Sequence, residues 1–289
     1  MQEAACQAMI DVYRSVWDKV DCEVLAVERE FSLPYLGWEV CGRIDRVVRG
    51  TLGVYVVELK TSSEDVSIGS NYQRRLQLSG QAAMYAMAYP CDGVLFDVIR
   101  KPHIQPLKAA AQPKIRKDGQ PYAGQRLIDE TVDEYRARYR DAVKLELIEL
   151  QPDVEGFRLQ LKHDLTLISL VELNDLYARN DWACQSKGSL CEYFGHCAGE
   201  EDLFDDSKFV DVDTHSKRIS HSRRECFNSC RQKHYYHYTV GRIPIFKSDA
   251  LKIGTRVHEL VEEYWNARSP RSLTDNRGHR SSPWGADPT

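Results

Sequence analysis

The sequence predicts an α/β protein with a mixed central β-sheet flanked by helices. Residues 23–34, 38–48 and 54–61 have the composition of β-strands and follow one another closely enough to pair as neighbours. A helical pattern at residues 74–88 then leads to a further strand pattern at residues 93–99. This succession of strand, helix and strand is typical of an α/β core.

The rest of the chain is predicted to be mostly helical. Residues 1–20 carry apolar residues at helical spacing and indicate an amphipathic helix. Residues 127–180 show long polar and apolar patterns that predict helices beside the sheet, and residues 220–238 and 248–267 predict two more. We expect these segments to elaborate the α/β core.

Four regions follow from the patterns. We expect a core at residues 1–198 that ends in a cluster of cysteines, and an acidic, solvated linker at residues 199–216. Residues 217–268 are predicted to form a helical head segment that packs on the core. Residues 269–289, rich in Ser, Pro, Gly and Arg, are predicted to be disordered.

The composition is that of a globular protein, with 289 residues of which 42% are hydrophobic and 28% charged. The 39 basic and 43 acidic residues give a net charge of −4, so any contact with DNA must come from a local patch. We expect no membrane partner, because no stretch approaches the roughly 18 apolar residues of a membrane span. Nine cysteines without a recognisable export signal indicate reduced thiols or a metal cluster, and hence a cytoplasmic location.

An acidic and lysine constellation lies on two neighbouring strands. Side chains alternate along a strand, so Glu58 and Lys60 in VYVVELKTS emerge on one face, about 7 Å apart. Asp45 lies in the preceding strand, where hairpin pairing can bring its carboxylate beside Glu58. Two carboxylates suit Mg²⁺ or Mn²⁺, and a lysine can position the water that attacks a phosphodiester. The alternative is a cross-strand salt bridge on a solvated face, which the apolar run before Glu58 disfavours.

The next segment makes the pattern more specific, because Gln81 and Tyr85 lie four residues apart on one helical face. The ordered set GRIDRVV, VVELKTS and QLSGQAAMYAMA resembles the core motifs of RecB-like PD-(D/E)XK nucleases, which occur in phage exonucleases, AddB-type helicase-nucleases and CRISPR-associated RecB-type nucleases. The resemblance implies a restriction-endonuclease-like core. It assigns Asp45 and Glu58 to metal ligation and Lys60 to catalysis. Gln81 and Tyr85 fall on a helix that supports the catalytic site and contacts DNA.

A later stretch is similar to the first motifs of the same family. It runs from RISHSRRECFNSCRQKHYYHYTVG to GTRVHELVEEYW, and the resemblance makes His258 a metal ligand, with Glu262 one turn further along. Without the resemblance, His258 is a solvated histidine beside an apolar stripe. These motifs precede the core in the family and follow it here. Either the chain is circularly permuted and His258 reaches Asp45, or it fuses the body of one nuclease to the head of another and His258 need not reach Asp45.

A possible metal cluster rests on three cysteines in ACQSKGSLCEYFGHCAG, namely Cys184, Cys191 and Cys197. Cys230 matches the cysteine that joins three others around a [4Fe-4S] cluster in some members of the resembled family, and four thiolates also suit Zn²⁺. His196 can replace one cysteine, and Cys226 is an alternative to Cys230. The remaining alternative is buried cysteines without a ligand, which we expect for those scattered elsewhere: Cys6, Cys22, Cys41 and Cys91.

Basic residues bracket the core motifs and can line a DNA groove through contacts to phosphates. They are Arg74, Arg75, Lys101, Lys108, Lys114, Arg116 and Lys117. A solvated polar surface explains them equally well.

The motifs together predict a Mg²⁺- or Mn²⁺-dependent deoxyribonuclease. The expected role is exonuclease action in recombination, repair or the processing of phage and mobile-element DNA, with a helicase or recombination protein as a candidate partner. Two rival hypotheses stay open. One is a catalytically inactive DNA-binding or assembly module of the same fold, and the other is an iron-sulfur or zinc protein that uses the sheet for another purpose.

Overall fold

A mixed β-sheet forms the centre of the protein in a computed structural model, which describes residues 1–186, 189–214, 217–245 and 249–269. Its five long strands lie side by side in chain order. They are β1 (Glu23–Tyr35), β2 (Trp38–Gly50), β3 (Gly53–Ser62), β4 (Gly93–Arg100) and β5 (Lys144–Leu150). The first three strands pair antiparallel, β3 and β4 pair parallel, and β5 returns antiparallel to β4.

Helices and short strands surround this sheet. The helices are α1 (Gln2–Trp17), α2 (Asn71–Leu76), α3 (Gly80–Ala88), α4 (Val132–Ala142), α5 (Val154–Asn174), α6 (Phe194–Cys197), α7 (His221–Ser229), α8 (Arg231–His234) and α9 (Asp249–Arg268), with a 3₁₀-helix at Asp181–Ala183 and a π-helix at Tyr235–Val240. The short strands are β6 (Gln185–Ser186), β7 (Ser189–Leu190), β8 (Phe209–Asp211), β9 (Arg218–Ile219) and β10 (Arg242–Pro244). β9 extends the sheet by pairing parallel to β2.

Both faces of the sheet are covered, which confirms the predicted α/β architecture. On one face α1, α4 and α9 bury a cluster that includes Met9, Tyr139 and Val257 together with Leu59 of β3. On the other face α3 packs against the valines of β3 and β4, and α5 and α7 pack outside α3. The alternation of side chains along β3 therefore separates two apolar cores.

A buried ion pair ties the first and last helices to the sheet. The Arg46 guanidinium pairs with the Asp97 carboxylate, and both side chains are almost completely buried. Tyr13 of α1 donates a 2.8 Å hydrogen bond to Asp97 and accepts one of 2.8 Å from the indole Nε1 of Trp265 in α9. The guanidinium carbon lies 4.6 and 4.5 Å from the ring centroids of Trp17 and Trp265. Cation–π contacts of this kind help to hold a buried charge.

Two predicted helices are interrupted in the structure. The pattern at 74–88 is divided between α2 and α3, because the Ser79 hydroxyl accepts a hydrogen bond from the Ala82 amide and begins a new helix there. The segment 220–238 is interrupted at Cys230, whose extended backbone ends α7 before α8 starts. The prediction that each segment is helical is right, but the prediction of one continuous helix in each is wrong.

The region 127–180 was predicted to be helical, and this is wrong for β5. The sequence KLELIEL alternates polar and apolar residues only as far as Leu147, and Ile148 breaks the alternation, so the pattern alone does not separate a strand from a helix. Its backbone pairs with β4 from Val94 opposite Leu150 to Arg100 opposite Lys144. Without β5, the backbone groups along this edge of β4 would lack hydrogen-bonding partners. Pairing with β4 therefore makes residues 144–150 a strand.

In the segment predicted as an acidic linker at 199–216, the described residues 199–214 contain packed and paired structure. Leu203 and Phe209 are buried against Tyr193, and β8 pairs antiparallel with β10. The acidic side chains have a structural role here, because Arg242 forms ion pairs of 2.9 Å with both Asp206 and Asp211. The tail predicted to be disordered lies outside the described residues from position 270 onward. Among the described helices none is long and apolar enough to cross a membrane.

Candidate active site and cysteine cavity

The two candidate acidic residues meet where β2 and β3 pair. The register places Arg46 opposite Val57, and Asp45 and Glu58 are the next residues along their strands. The Oδ2 atom of Asp45 accepts a 2.8 Å hydrogen bond from the backbone amide of Leu59. The strands thereby hold both carboxylates at one point on the sheet.

Glu58 is buried at the centre of a polar network. Its Oε1 atom accepts hydrogen bonds from Lys60 Nζ at 2.7 Å and from Gln81 Nε2 at 2.8 Å. Its Oε2 atom accepts one of 2.9 Å from the hydroxyl of Tyr85, which also lies 3.0 Å from the carbonyl oxygen of Arg43. The same hydroxyl accepts a bond from Gln81. The structure thus brings together Glu58, Lys60, Gln81 and Tyr85 as the sequence pattern suggested.

The electrostatics of the carboxylates favour a bound cation. Burial, followed by the charge of Glu58, raises the pKa of Asp45 to about 8. Two carboxylates that repel each other in a partly desolvated site gain most from a positive ion placed between them. Lys60 supplies one positive charge, but its ammonium group is held at Glu58 and Gln81.

His258 reaches this site from α9. Val257 and Val261 are buried beneath the helix and fix its position on α1 and the sheet. The Nδ1 atom of His258 lies 3.8 Å from Oδ2 of Asp45. Two ligands of one octahedral Mg²⁺ are about 3 Å apart when adjacent and about 4.2 Å apart when opposite, given bonds of about 2.1 Å. Burial lowers the pKa of His258, which favours the neutral imidazole that binds metals.

The 3.8 Å separation places His258 within reach of Asp45, as the permuted arrangement predicts. As the side chains stand, no set of three histidine, cysteine or carboxylate groups among the described residues is arranged to hold a metal ion. A cation bound by Asp45, Glu58 and His258 would therefore require these side chains to move closer together.

Glu28 is a further acidic residue at the site that the sequence patterns did not single out. It lies in β1 with a φ of 51°, a left-handed conformation that is rare for a residue other than glycine. Its carboxylate pairs with Arg43 at 2.7 Å, and its charge helps to raise the pKa of Asp45. Its own pKa is raised by burial, with Glu262 among the contributing charges. The alternating pattern of the strand gives no sign of this local distortion.

The four candidate cluster cysteines line a single cavity of about 230 Å³, together with Arg179 and Lys233. They are Cys184, Cys191, Cys197 and Cys230. Burial raises the pKa of Cys197, and the neighbouring Cys184 and Cys230 raise it further. Cys226 faces a neighbouring groove instead, and burial raises its pKa to about 12.

His196, considered as a replacement ligand, does not line this cavity. Its Nδ1 atom lies 3.1 Å from the carbonyl oxygen of Glu201, and its ring packs edge-on against Tyr236. His196 is therefore set apart from the cavity that the four cysteines line. The scattered cysteines are free thiols, of which Cys6 is buried in the core and Cys22, Cys41 and Cys91 are partly buried.

The basic residues suggested for DNA contacts are distributed over separate segments. Arg75 in α2 pairs with Glu64 at 2.7 Å, whereas Arg74 is exposed without an ion pair to any described residue. Lys101 is half-buried beyond the end of β4. The loop after it holds Lys108, paired with Asp129, Arg116, paired with Asp118, and the exposed Lys114 and Lys117. Their placement does not define one groove.

Comparisons with known proteins give one broad match. A family model described as the PD-(D/E)XK nuclease superfamily matches residues 1–165 and 218–282, which include the sheet, α3 and α9. No curated protein matches the chain. A solved structure described as "Crystal structure of SSO0001" shows 13% sequence identity and a TM-score of 0.29, over 55% of this chain and 57% of that one. The chain thus spans less than two thirds of that structure, and the similarity is too weak for a comparison of folds.

Proposed function

Because the chain belongs to the PD-(D/E)XK nuclease superfamily, we propose that it is a deoxyribonuclease that hydrolyses DNA phosphodiester bonds with Mg²⁺ or Mn²⁺. The observation that carries the proposal is the convergence of Asp45, Glu58, Lys60 and His258 from three separate elements. The alternative, a simple salt bridge on a solvated sheet face, explains neither the burial of Glu58 nor the approach of His258 from a distant helix.

The donor set fits a divalent cation. Asp45 and Glu58 offer hard carboxylate oxygens, and His258 offers a neutral nitrogen. When bound, such an ion polarises a phosphate oxygen and lowers the pKa of a water molecule. Lys60 lies 2.7 Å from Glu58 and 2.8 Å from Gln81, so its ammonium group is fixed where it can orient the attacking water. Tyr85 and Gln81 hold Glu58 and Lys60 in place.

The test is cleavage of labelled single-stranded and double-stranded DNA with Mn²⁺ by the wild-type protein and by Lys60→Ala. We expect cleavage to fall by at least a hundredfold in the variant, because the water loses its positioning group. Lys162→Ala is a matched control, since it removes an exposed lysine of α5 that lies outside the candidate site. Absent cleavage would leave a DNA-binding module in place of an enzyme, and cleavage independent of Lys60 would overturn the role proposed for this lysine.

The finer role that we propose is exonuclease action in recombination, repair or mobile-element DNA processing, with a helicase or recombination protein supplying the DNA. The family supports this only in general terms. Time courses on substrates labelled at one end distinguish the alternatives, because an exonuclease releases short products from the start, whereas an endonuclease first produces intermediate lengths.

We propose a [4Fe-4S] cluster, with Zn²⁺ as the alternative, in the cavity that the four cysteines line, because thiolates are ligands of both. As the side chains stand, the described thiols are not arranged to hold a metal ion, so binding would require them to move closer together. The site would fasten α6 and the segment around it to the start of α8. Iron and zinc analysis with the visible absorption spectrum separates the two metals. We expect Cys184→Ser to lose the metal and Cys91→Ser, a partly buried thiol elsewhere, to keep it. A wild-type protein with neither metal would leave the cysteines as unliganded thiols.

A further inference from the structure

The side-chain amide of Gln81 connects α3 to the two candidate residues of β3. Its Oε1 atom accepts a 2.8 Å hydrogen bond from Lys60, and its Nε2 atom donates one of 2.8 Å to Glu58. The same Nε2 atom also donates to the hydroxyl of Tyr85. The amide is thus held on both its donor and its acceptor side. The position of the Lys60 ammonium group therefore depends on where the first turn of α3 places Gln81.

The first turn of α3 has little support from its own sequence. The helix starts at Gly80, and its N-cap residue Ser79 accepts a hydrogen bond of 3.3 Å from the Ala82 amide, which is long for such a bond. The residue before the cap, Leu78, is 90% exposed and does not anchor the chain. The start of the helix therefore depends on packing against the rest of the molecule.

Arg224 of α7 packs directly on this first turn. A β-carbon added at Gly80 would lie 2.5 Å from Nη1 of Arg224 and 3.3 Å from Cε2 of Phe157 in α5. Both distances are shorter than an ordinary van der Waals contact, so glycine is the residue that lets α3 begin so close to the guanidinium group. The backbone one residue before Gln81 is therefore the point where α5 and α7 meet α3.

The guanidinium group of Arg224 is held in a fixed place. Its Nε atom donates a hydrogen bond to Oδ2 of Asp164 in α5, and each of the two residues is only 4% exposed. The guanidinium carbon lies 5.2 Å from the centroid of the Phe157 ring. Asn228 donates a second hydrogen bond, of 3.2 Å, to the same oxygen of Asp164. A buried guanidinium that is paired and stacked cannot swing away from Gly80 as an exposed arginine could.

The charge of Arg224 does not favour the helix that it touches. A helix N-terminus carries a partial positive charge, so a cation beside it is unfavourable unless a carboxylate offsets it. Asp164 supplies that carboxylate. Apolar residues can often replace a buried ion pair without loss of stability, whereas the planar guanidinium has a fixed geometry. The placement that the pair imposes on α3 therefore explains it better than a gain in stability does.

We propose that Arg224, held by Asp164, is a positioning residue that sets the first turn of α3 and thereby the place of Gln81 beside Lys60. The proposal rests on the nuclease function and adds a residue that acts on the same site without touching the substrate. The helices α7 and α9 then act on the site in different ways, since α9 supplies His258 and α7 acts through α3.

A variant that removes the ion pair but keeps the protein folded tests the proposal. Arg224→Met combined with Asp164→Leu puts apolar side chains in place of the pair, so the free energy of unfolding should stay close to that of the wild type. We expect kcat for DNA cleavage at saturating Mn²⁺ to fall about tenfold with KM unchanged, because a small displacement of Gln81 impairs catalysis and not binding.

The matched control is Val171→Ala, which removes buried methyl groups from the same helix α5. Val171 lies 14 residues after Phe157, which is about 21 Å along the helix. This variant should lower the free energy of unfolding and leave kcat unchanged. Gly80→Ala is a second test variant, because it leaves the ion pair intact and adds only the β-carbon that meets Arg224. It should lower kcat as the double variant does, and it keeps the proposal testable if the double variant does not fold.

A measurement on the purified protein without added Mn²⁺ separates the proposal from the proposed enzyme activity. With ¹⁵N-labelled glutamine, NMR reports how fast the side-chain amide protons of Gln81 exchange with solvent, and Gln81→Ala identifies their signal. We expect exchange to be about tenfold faster in the double variant and in Gly80→Ala, because the hydrogen bonds of the amide open more often. Val171→Ala should exchange at the wild-type rate.

The two measurements together decide the outcome. A folded double variant with wild-type kcat and wild-type exchange at Gln81 would overturn the proposal and leave the ion pair with a structural role. A change in only one of the two quantities would also overturn it, because Arg224 would then not act on catalysis through Gln81. If exchange becomes faster as expected but the wild-type protein never cuts DNA, the placement of Gln81 by Arg224 stands and the proposed enzyme activity fails.

Discussion

The Nδ1 atom of His258 lies 3.8 Å from Oδ2 of Asp45, although α9 and β2 are far apart in the chain. The helix is placed there by the packing of Val257 and Trp265 on α1, and not by any local feature of β2. A candidate metal site is therefore assembled by tertiary packing between the last described helix and the sheet.

Replacement of His258 tests whether it contributes to the candidate metal site. We expect His258→Ala to raise the Mn²⁺ concentration for half-maximal cleavage at least tenfold, because one ligand of the ion is lost. Isothermal titration with Mn²⁺ measures the same loss without DNA. Glu263→Gln changes an exposed acid on the same helix and should leave both values unchanged. An unaltered Mn²⁺ dependence in His258→Ala would show that the histidine is not a ligand.

The hydroxyl of Tyr85 provides a second test. Tyr85→Phe leaves Oε2 of Glu58 and the carbonyl of Arg43 without this donor. We expect the free energy of unfolding to fall by about 1–2 kcal/mol, as is usual for a buried hydrogen bond to a charged group. Urea denaturation measures the change. Tyr122→Phe, at an exposed tyrosine, should have no effect, and equal stability of both variants with the wild type would contradict the network.

The buried ion pair of Arg46 and Asp97 lies beneath α1 and α9, and it should contribute strongly to the free energy of unfolding. Asp97→Asn leaves the guanidinium in the core without its charge partner, so we expect a loss of about 3–5 kcal/mol in thermal or urea unfolding. Asp129→Asn breaks the exposed pair with Lys108 and should cost less than about 1 kcal/mol. Comparable losses in the two variants would mean that Arg46 is solvated when unpaired.

Glu130 should make stability depend on pH in the acid range. Two hydrogen bonds of 2.7 Å from Arg138 lower the pKa of this carboxyl to about 2 from its ordinary 4.5. A folded-state pKa below the unfolded value stabilises the protein above pH 4.5, and this contribution is lost as the pH falls toward 2.

Urea midpoints at pH 7, 4.5 and 3 reveal this contribution. We expect Glu130→Gln to be less stable than the wild type at pH 7 and the difference to shrink as the pH falls. Glu155→Gln, at a side chain that is 83% exposed, serves as the control. A difference that stays constant with pH would show that the carboxylate charge does not matter.

The sequence predicts the local part of the candidate site well, because strand geometry is regular. Alternation places Glu58 and Lys60 on one face, and a hairpin brings Asp45 beside them. The helical spacing of Gln81 and Tyr85 is equally local. Each of these relationships depends only on residues within one element or between neighbouring strands.

What the sequence left open or missed has physical reasons of its own. The distance from His258 to Asp45 depends on the packing of α9 against α1, which no spacing rule contains. The strand β5 was obscured because KLELIEL suits a helix as readily as a strand until the edge of β4 is there to pair with it. Glu28 was missed because its left-handed backbone departs from the regular strand that the pattern assumes.

The shared buried cluster of Tyr13, Arg46 and Trp265 has a consequence for how the protein opens. Because detaching α9 would expose the guanidinium and remove His258 in the same event, we expect local unfolding and loss of this candidate metal ligand to form one cooperative step. A cation that binds only the closed form adds its binding free energy to that step. Bound metal should therefore slow amide hydrogen exchange in α1 and α9 together, although the two helices share no stretch of sequence.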